Sequence, residues 1–119
     1  NLVYGCDQAT RGLHPMNKYI DYMRTMKYFT APGFDTPGAS ADIIKNKVGS
    51  SIAHLYRRPR VWLEGYHSQG WQASTSTIFD STCHNFLYGA NLLNLHGLYY
   101  STYGGWWEWA PPCYHFRMP

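Results

Sequence analysis

The sequence predicts an α/β fold of parallel strands, a partial (β/α)8 barrel of three to four βα units. Three observations carry this. Short apolar runs recur near residues 29, 63 and 93, about thirty residues apart, as in a chain of βαβ units. Each gap between them holds one stretch of helical periodicity. The runs are apolar throughout, as strands covered on both faces are. Three or four such units make about half of an eight-unit barrel. A doubly wound open sheet is the structural alternative. A Gly-rich phosphate turn after a strand would favour it, and neither GxGxxG nor GxxxxGK[ST] occurs in the chain.

The elements follow in order. Leu2 to Gly5 is a candidate first strand. From Pro15 to about Lys27, Met16, Tyr19, Ile20, Met23 and Met26 fall at helical spacing, with Pro15 suited to the first turn. A strand is expected at residues 28–31, ended by Pro32-Gly33 and followed by a loop through Asp35 to Gly38. A second helix is expected at 41–56, with Ser40 as N-cap and Ile43, Ile44, Val48, Ile52 and Leu55 as an apolar stripe. Pro59 ends it, and residues 61–65 read as a strand. A third helix is expected at 75–88, with Ile78, Phe79, Phe86 and Leu87 inward and Gly89 as its stop. Residues 90–95 form the last strand. Beyond His96 the chain turns into a loop rich in Gly, Trp and Pro.

Composition bounds the function. Of the 119 residues, 18% are aromatic and only 14% are charged, against the usual quarter or so. Eleven Tyr and five Trp exceed what one small core needs, so those rings face a ligand or pack on further protein. Both ends run directly out of apolar segments, and residues 1–119 read as one internal piece of a barrel domain. An open half-barrel exposes sheet edges, so the piece is not expected to fold without the remainder of its barrel. The formal charge of +3 is thinly spread, its one cluster being Arg57, Arg58 and Arg60 around Pro59, which excludes a nucleic-acid stripe. No apolar stretch approaches the ~20 residues that span a membrane. Cys6, Cys83 and Cys113 are odd in number and form no CxxC pair, which supports buried free thiols rather than a zinc site or disulfide framework.

In a parallel barrel the functional side chains gather at the C-terminal strand ends. That rule selects Asp7, Asp35, Glu64 and His96, one for each strand in turn. Glu64 stands out, because the chain has only two Glu residues and this one lies in a strand-like run. A carboxylate there is costly unless it is hydrogen-bonded or has a task. Trp62, Tyr66 and Trp71 would desolvate it, the condition for a general acid near neutral pH. The structural alternative is an ion pair with Arg57, Arg58 or Arg60. His96 is either a donor to a substrate hydroxyl or a satisfied core histidine, and His67 either touches substrate or lines the loop. No His, Asp and Glu spacing makes a transition-metal site. The loop over residues 99–116 carries Trp106, Trp107 and Trp109 with several Tyr, and flat aromatic faces stack on the C–H faces of sugars. A packed aromatic plug is the alternative there. Glu108 reads as a structural group or a second carboxylate.

Two stretches also carry a family resemblance. Ser51-Ile52-Ala53-His54-Leu55-Tyr56 followed by Arg60-Val61-Trp62-Leu63-Glu64-Gly65-Tyr66 resembles bacterial glycoside hydrolases of the family 106 α-L-rhamnosidase type. There an SxAHxYG+P helix end leads into a strand with an acidic residue; here Arg57-Arg58-Pro59 replaces the Gly-containing turn. Gly89 to Gly97 is similar to the GxNxxxxHG strand of the same proteins. The resemblance covers residues 40–119 well and the first third loosely. It implies an exported, periplasmic or extracellular enzyme that cleaves plant-type glycans, with an active-site calcium. It carries Glu64 over as a catalytic carboxylate and His96 as a substrate contact.

The expected function is therefore acid/base cleavage of a glycosidic bond. Glu64 is the leading candidate for the general acid, with Asp35, Asp7 or a residue beyond this segment as second carboxylate. Tyr66, His67, Trp71, His96, Trp106 and Trp107 are the expected sugar contacts. A non-catalytic carbohydrate-binding barrel and a metal-assisted α/β hydrolase are the rival readings.

Overall fold

The computed structural model describes residues 2–6, 21–67 and 73–96. Within them a small α/β domain takes shape. Strand β1 (Gly5–Cys6) precedes a short helix α1 (Tyr22–Thr25), which continues as a 3-10 turn at Met26–Tyr28. Then come β2 (Ala31–Thr36), α2 (Ile43–Leu55), β3 (Trp62–Gly65), α3 (Thr75–Tyr88) and β4 (Leu92–Leu95). All the strands pair in parallel, and their spatial order is the chain order, β1-β2-β3-β4. The two-residue β1 extends a three-stranded core of β2, β3 and β4.

The second strand departs from expectation. Residues 28–31 are not its body; Tyr28 closes the 3-10 turn, and the strand runs on through Pro32 and Gly33 to Thr36. Its start is set by β1, since Thr30 and Ala31 both donate their N–H to the Tyr4 carbonyl, at 3.0 and 3.1 Å. Pro32 lacks an N–H, but pairing with β3 begins one residue later, at Gly33 with Trp62. The loss falls near the strand's start, where proline is tolerated. Gly33 is required by proximity rather than by a turn. A Cβ there would lie 2.4 Å from the Trp62 Cβ and 2.3 Å from its carbonyl oxygen.

The helices begin and end for local reasons. Asp42, not Ser40, caps α2; its carboxylate accepts from the N–H groups of Ile44 and Lys45 at 2.9 and 3.1 Å. Ser40 instead donates its hydroxyl to the Pro37 carbonyl. Past the cap at Tyr56, Arg57 takes a left-handed φ of 53° and the chain turns before Pro59. Ser74 caps α3, and Gly89, the stop that the sequence predicts, ends it at φ 118° with its N–H on the Asn85 and Phe86 carbonyls.

The core lies between sheet and helices. Phe34 and Leu63 meet Tyr22, Met26, Ile52, Ala53, Val61 and Ala90 there. Gly49 lets α2 settle on β2, since a Cβ would lie 2.9 Å from the Phe34 ring. The Tyr22 hydroxyl donates to the Gly33 carbonyl, and the Tyr56 hydroxyl to that of Met23 at 3.1 Å. Asn91 ties the start of β4 to β3, accepting from the Val61 N–H at 2.7 Å and donating to the Pro59 carbonyl.

Helix faces differ most from the periodic reading. Of the α2 stripe only Ile52 is fully buried, while Ile43, Ile44 and Leu55 are exposed. On α3, Phe79 and Leu87 are 66% and 75% exposed and Phe86 is exposed too, against the inward assignment, while Ile78 is half-buried. Buried in their place are Asn46 and Ser50 of α2 with Ser81 and Asn85 of α3. The reason is an amide network whose side-chain N–H groups are all engaged, with Asn46 Oδ1 left without a hydrogen bond among the described residues. Asn46 Nδ2 donates to Asn85 Oδ1 at 2.8 Å, and Asn85 Nδ2 donates to the carbonyls of Ser40 and Ser81, each at 2.8 Å. The Ser81 hydroxyl donates to the Ser40 carbonyl at 2.9 Å. Partnered amides can be buried, and their small size brings the helices close. Cys83 is a free thiol, but an exposed one rather than a buried one. Among the described residues no helix is long and apolar enough to cross a membrane.

Two substitutions test this packing by urea denaturation. Asn85→Ala leaves a buried amide and carbonyl short of partners and is expected to cost about 2 kcal/mol. Gly33→Ala forces β2 away from Trp62 and is expected to cost about 1–3 kcal/mol. Unchanged midpoints would contradict both assignments.

Candidate functional site

Side chains alternate along each strand, so the residues after Phe34 and Leu63 face away from the core. Those residues are Asp35 and Glu64. They are direct partners in the β2–β3 register, and Glu64 pairs in turn with Asn94 of β4. Asp35, Glu64 and Asn94 thus form one row across the sheet, one residue from its C-terminal edge. Neighbouring strands lie about 4.7–4.9 Å apart, so the row is tight. Asp35 is therefore a strand residue, not the loop residue expected, and its placement in the strand is what brings it beside Glu64. Behind it, the Lys45 ammonium of α2 donates to the Asp35 carbonyl at 3.1 Å.

Just beyond the row the chain bends sharply. Tyr66 takes a left-handed φ of 77°, uncommon for a bulky residue and costly unless its surroundings hold it. Here they do. The Tyr66 ring is 1% exposed, and its hydroxyl bonds the Thr82 hydroxyl of α3. Burial pushes the phenol above its ordinary value, partly opposed by the hydroxyls of Thr82 and Ser81. Tyr66, expected as a substrate contact, is in this fold a buried strut between β3 and α3.

The bend turns His67 back over the strand ends. Its carbonyl accepts the Gly38 N–H at 2.6 Å, joining the turns after β2 and β3. Its Nδ1 lies 3.6 Å from Asp35 Oδ1, an ion-pair distance too long for a hydrogen bond. His96 extends the β4 ladder by donating its N–H to the Gly65 carbonyl at 3.0 Å. Its Nδ1 is 2.9 Å from Glu64 Oε1. The two imidazoles meet edge to face, with ring centroids 5.1 Å apart and planes at 63°. Two carboxylates and two imidazoles thus gather at the ends of three adjacent strands, each partly shielded, with side chains 15–22% exposed.

The arginine alternative for Glu64 is not realised. Its partner is His96, whereas the Arg58 guanidinium donates to the Lys27 carbonyl and Arg57 and Arg60 are exposed. Asp7, Trp71, Trp106, Trp107 and Glu108 lie outside the described residues. Sequence reasoning passed over Asn94, although its position two residues before His96 puts it on the Glu64 face. Trp62, expected beside Glu64, does share its face, packed against Gly5 and Gly33, with its indole Nε1 buried and without a hydrogen bond among the described residues. Among the described residues no three His, Cys, Asp or Glu side chains converge as metal ligands, so no step is assigned to the calcium that the resemblance implied. An open apolar groove lined by Met23, Ile43, Ile44, Lys47, Val48 and Ser51 lies along the helices, remote from these groups.

The strut is open to test. Tyr66→Phe removes the bond to Thr82 and is expected to lose about 1 kcal/mol of stability in thermal unfolding, with the fold retained. Compared with protein-family models, curated proteins and solved structures, the chain has no match in any of the three.

Proposed function

We propose that the row Asp35–Glu64 is the acid/base pair of a glycoside-cleaving site, carried by part of a (β/α)8 barrel. The observation that carries the proposal is the side-by-side register of the two carboxylates at the C-terminal strand ends, with an imidazole against each. Parallel strands in chain order favour a barrel over a doubly wound sheet, because right-handed crossovers then put every helix on one face. The other face, with Trp62, Asp35 and Glu64, corresponds to a barrel interior and its active rim. Further βα units would close it.

The hydrogen bond to His96 refines the roles. With an imidazole nitrogen at hydrogen-bond distance, an ionised Glu64 can only accept, which suits a base or nucleophile better than the acid its position alone suggested. Proton donation to the leaving oxygen then falls to Asp35, with His67 beside it. The bond between anomeric carbon and leaving oxygen breaks as Asp35 delivers its proton and Glu64 stabilises or captures the oxocarbenium-like centre; the oxygen of a water then bonds to the anomeric carbon, freeing Glu64, and the water's proton returns to Asp35. Sugar contacts would come from the aromatic side chains that follow, Trp71, Trp106 and Trp107 among them.

Leaving-group dependence separates these roles. With aryl glycosides, Glu64→Gln should lower kcat by about 10²–10⁴-fold whatever the leaving group. Asp35→Asn should be severe on poor leaving groups and mild on acidic phenols, which depart without protonation. Binding of glycans without turnover by the unaltered protein would favour a carbohydrate-binding module instead. Activity that survives Glu64→Gln would remove the catalytic assignment.

A further inference from the structure

The reading of Glu64 as a reacting carboxylate leaves open how a flexible side chain at a strand end is held in one place. A glutamate has three side-chain torsions, and a displacement of about 1 Å at a reacting group can cost about 10²-fold in rate. Glu64 Oε1 is engaged by His96 Nδ1 at 2.9 Å, while Oε2 makes no hydrogen bond among the described residues. His96 is itself well fixed. Its backbone N–H is on the Gly65 carbonyl, the residue after Glu64, so the imidazole and the carboxylate stand two residues apart on one face of the same ladder. Its ring meets His67 edge to face at 5.1 Å. His67 is held in turn by the Gly38 N–H on its carbonyl and by the bend at Tyr66.

We propose that His96 is a positioning residue for Glu64: held in the Nδ1–H tautomer and braced by the His67 ring, it locks the carboxylate through Oε1 and leaves Oε2 as the reacting oxygen. The tautomer follows from hydrogen-bond bookkeeping. An ionised carboxylate only accepts, so the nitrogen facing it must carry the proton, and Nε2 of the neutral ring is left as an acceptor. This inference rests on the proposed role of Glu64, but the tautomer does not.

Two measurements test it independently. Long-range 1H–15N correlation at mildly alkaline pH should show His96 with its proton on Nδ1, and Glu64→Ala should move that proton to Nε2. An Nε2–H tautomer in the unaltered protein would overturn the proposal whatever the protein's activity. In turnover, His96→Ala should lower kcat by about 10–10²-fold, a larger change than in KM, because the loss falls on the reacting carboxylate. His96→Gln, whose carboxamide can still donate to Oε1, should recover most of that loss. A merely structural role would lower the folded fraction alike in both variants and would not give this rescue. If Glu64→Gln abolishes activity while His96→Ala keeps full kcat, positioning is wrong and the catalytic reading stands. If Glu64→Gln is active while His96 is Nδ1–H, the catalytic reading falls and the pairing survives.

Discussion

The register between β2 and β3 is the constraint on which the rest depends. Phe34 and Leu63 are partners on the core side, both fully buried, so Asp35 and Glu64 must be partners on the other. Slipping β3 by one residue would drive Glu64 into the core and expose Leu63, which the burial of apolar surface forbids. The same register sets Trp62 against Gly33, where any side chain larger than hydrogen would collide. A hydrophobic requirement on one face and a steric one on the other thus agree on a single alignment. The proximity of the two carboxylates is a by-product of that agreement.

Helix α3 contributes to the site without touching it. The amide network of Asn46, Ser81 and Asn85 seats α3 on α2 through polar contacts, and its satisfied donors make that burial tolerable. So seated, α3 presents Thr82 to the Tyr66 hydroxyl and holds the left-handed bend that ends β3. The bend carries His67 to Asp35 and to the His96 ring. Packing between two helices is thereby converted into the placement of an imidazole at the far edge of the sheet.

The chemistry proposed for the row follows from the same economy of position. Two carboxylates on neighbouring strands would repel if both were bare, and each has an imidazole beside it. A neutral imidazole can donate one hydrogen bond without imposing a permanent positive charge, and His96 is placed to do so for Glu64. Lys45 approaches only the backbone of Asp35, from the helix side.

Much of this was legible in the sequence. Strand and helix alternation, the stops at Pro59 and Gly89, the strand around Glu64 and the strand-end position of His96 follow from local periodicity and turn chemistry, which act over a few residues. What local pattern could not supply was decided by contacts across the fold. The continuation of β2 through Pro32-Gly33 depends on β1 and Trp62, and the polar seam between α2 and α3 depends on amides 39 residues apart finding each other. Tyr66 turned inward because Thr82 was there to receive it. For Glu64, its place at the strand end was readable from the residues around it. Its partner was not, because a hydrogen bond between residues 32 positions apart exists only once the register of β3 and β4 is set.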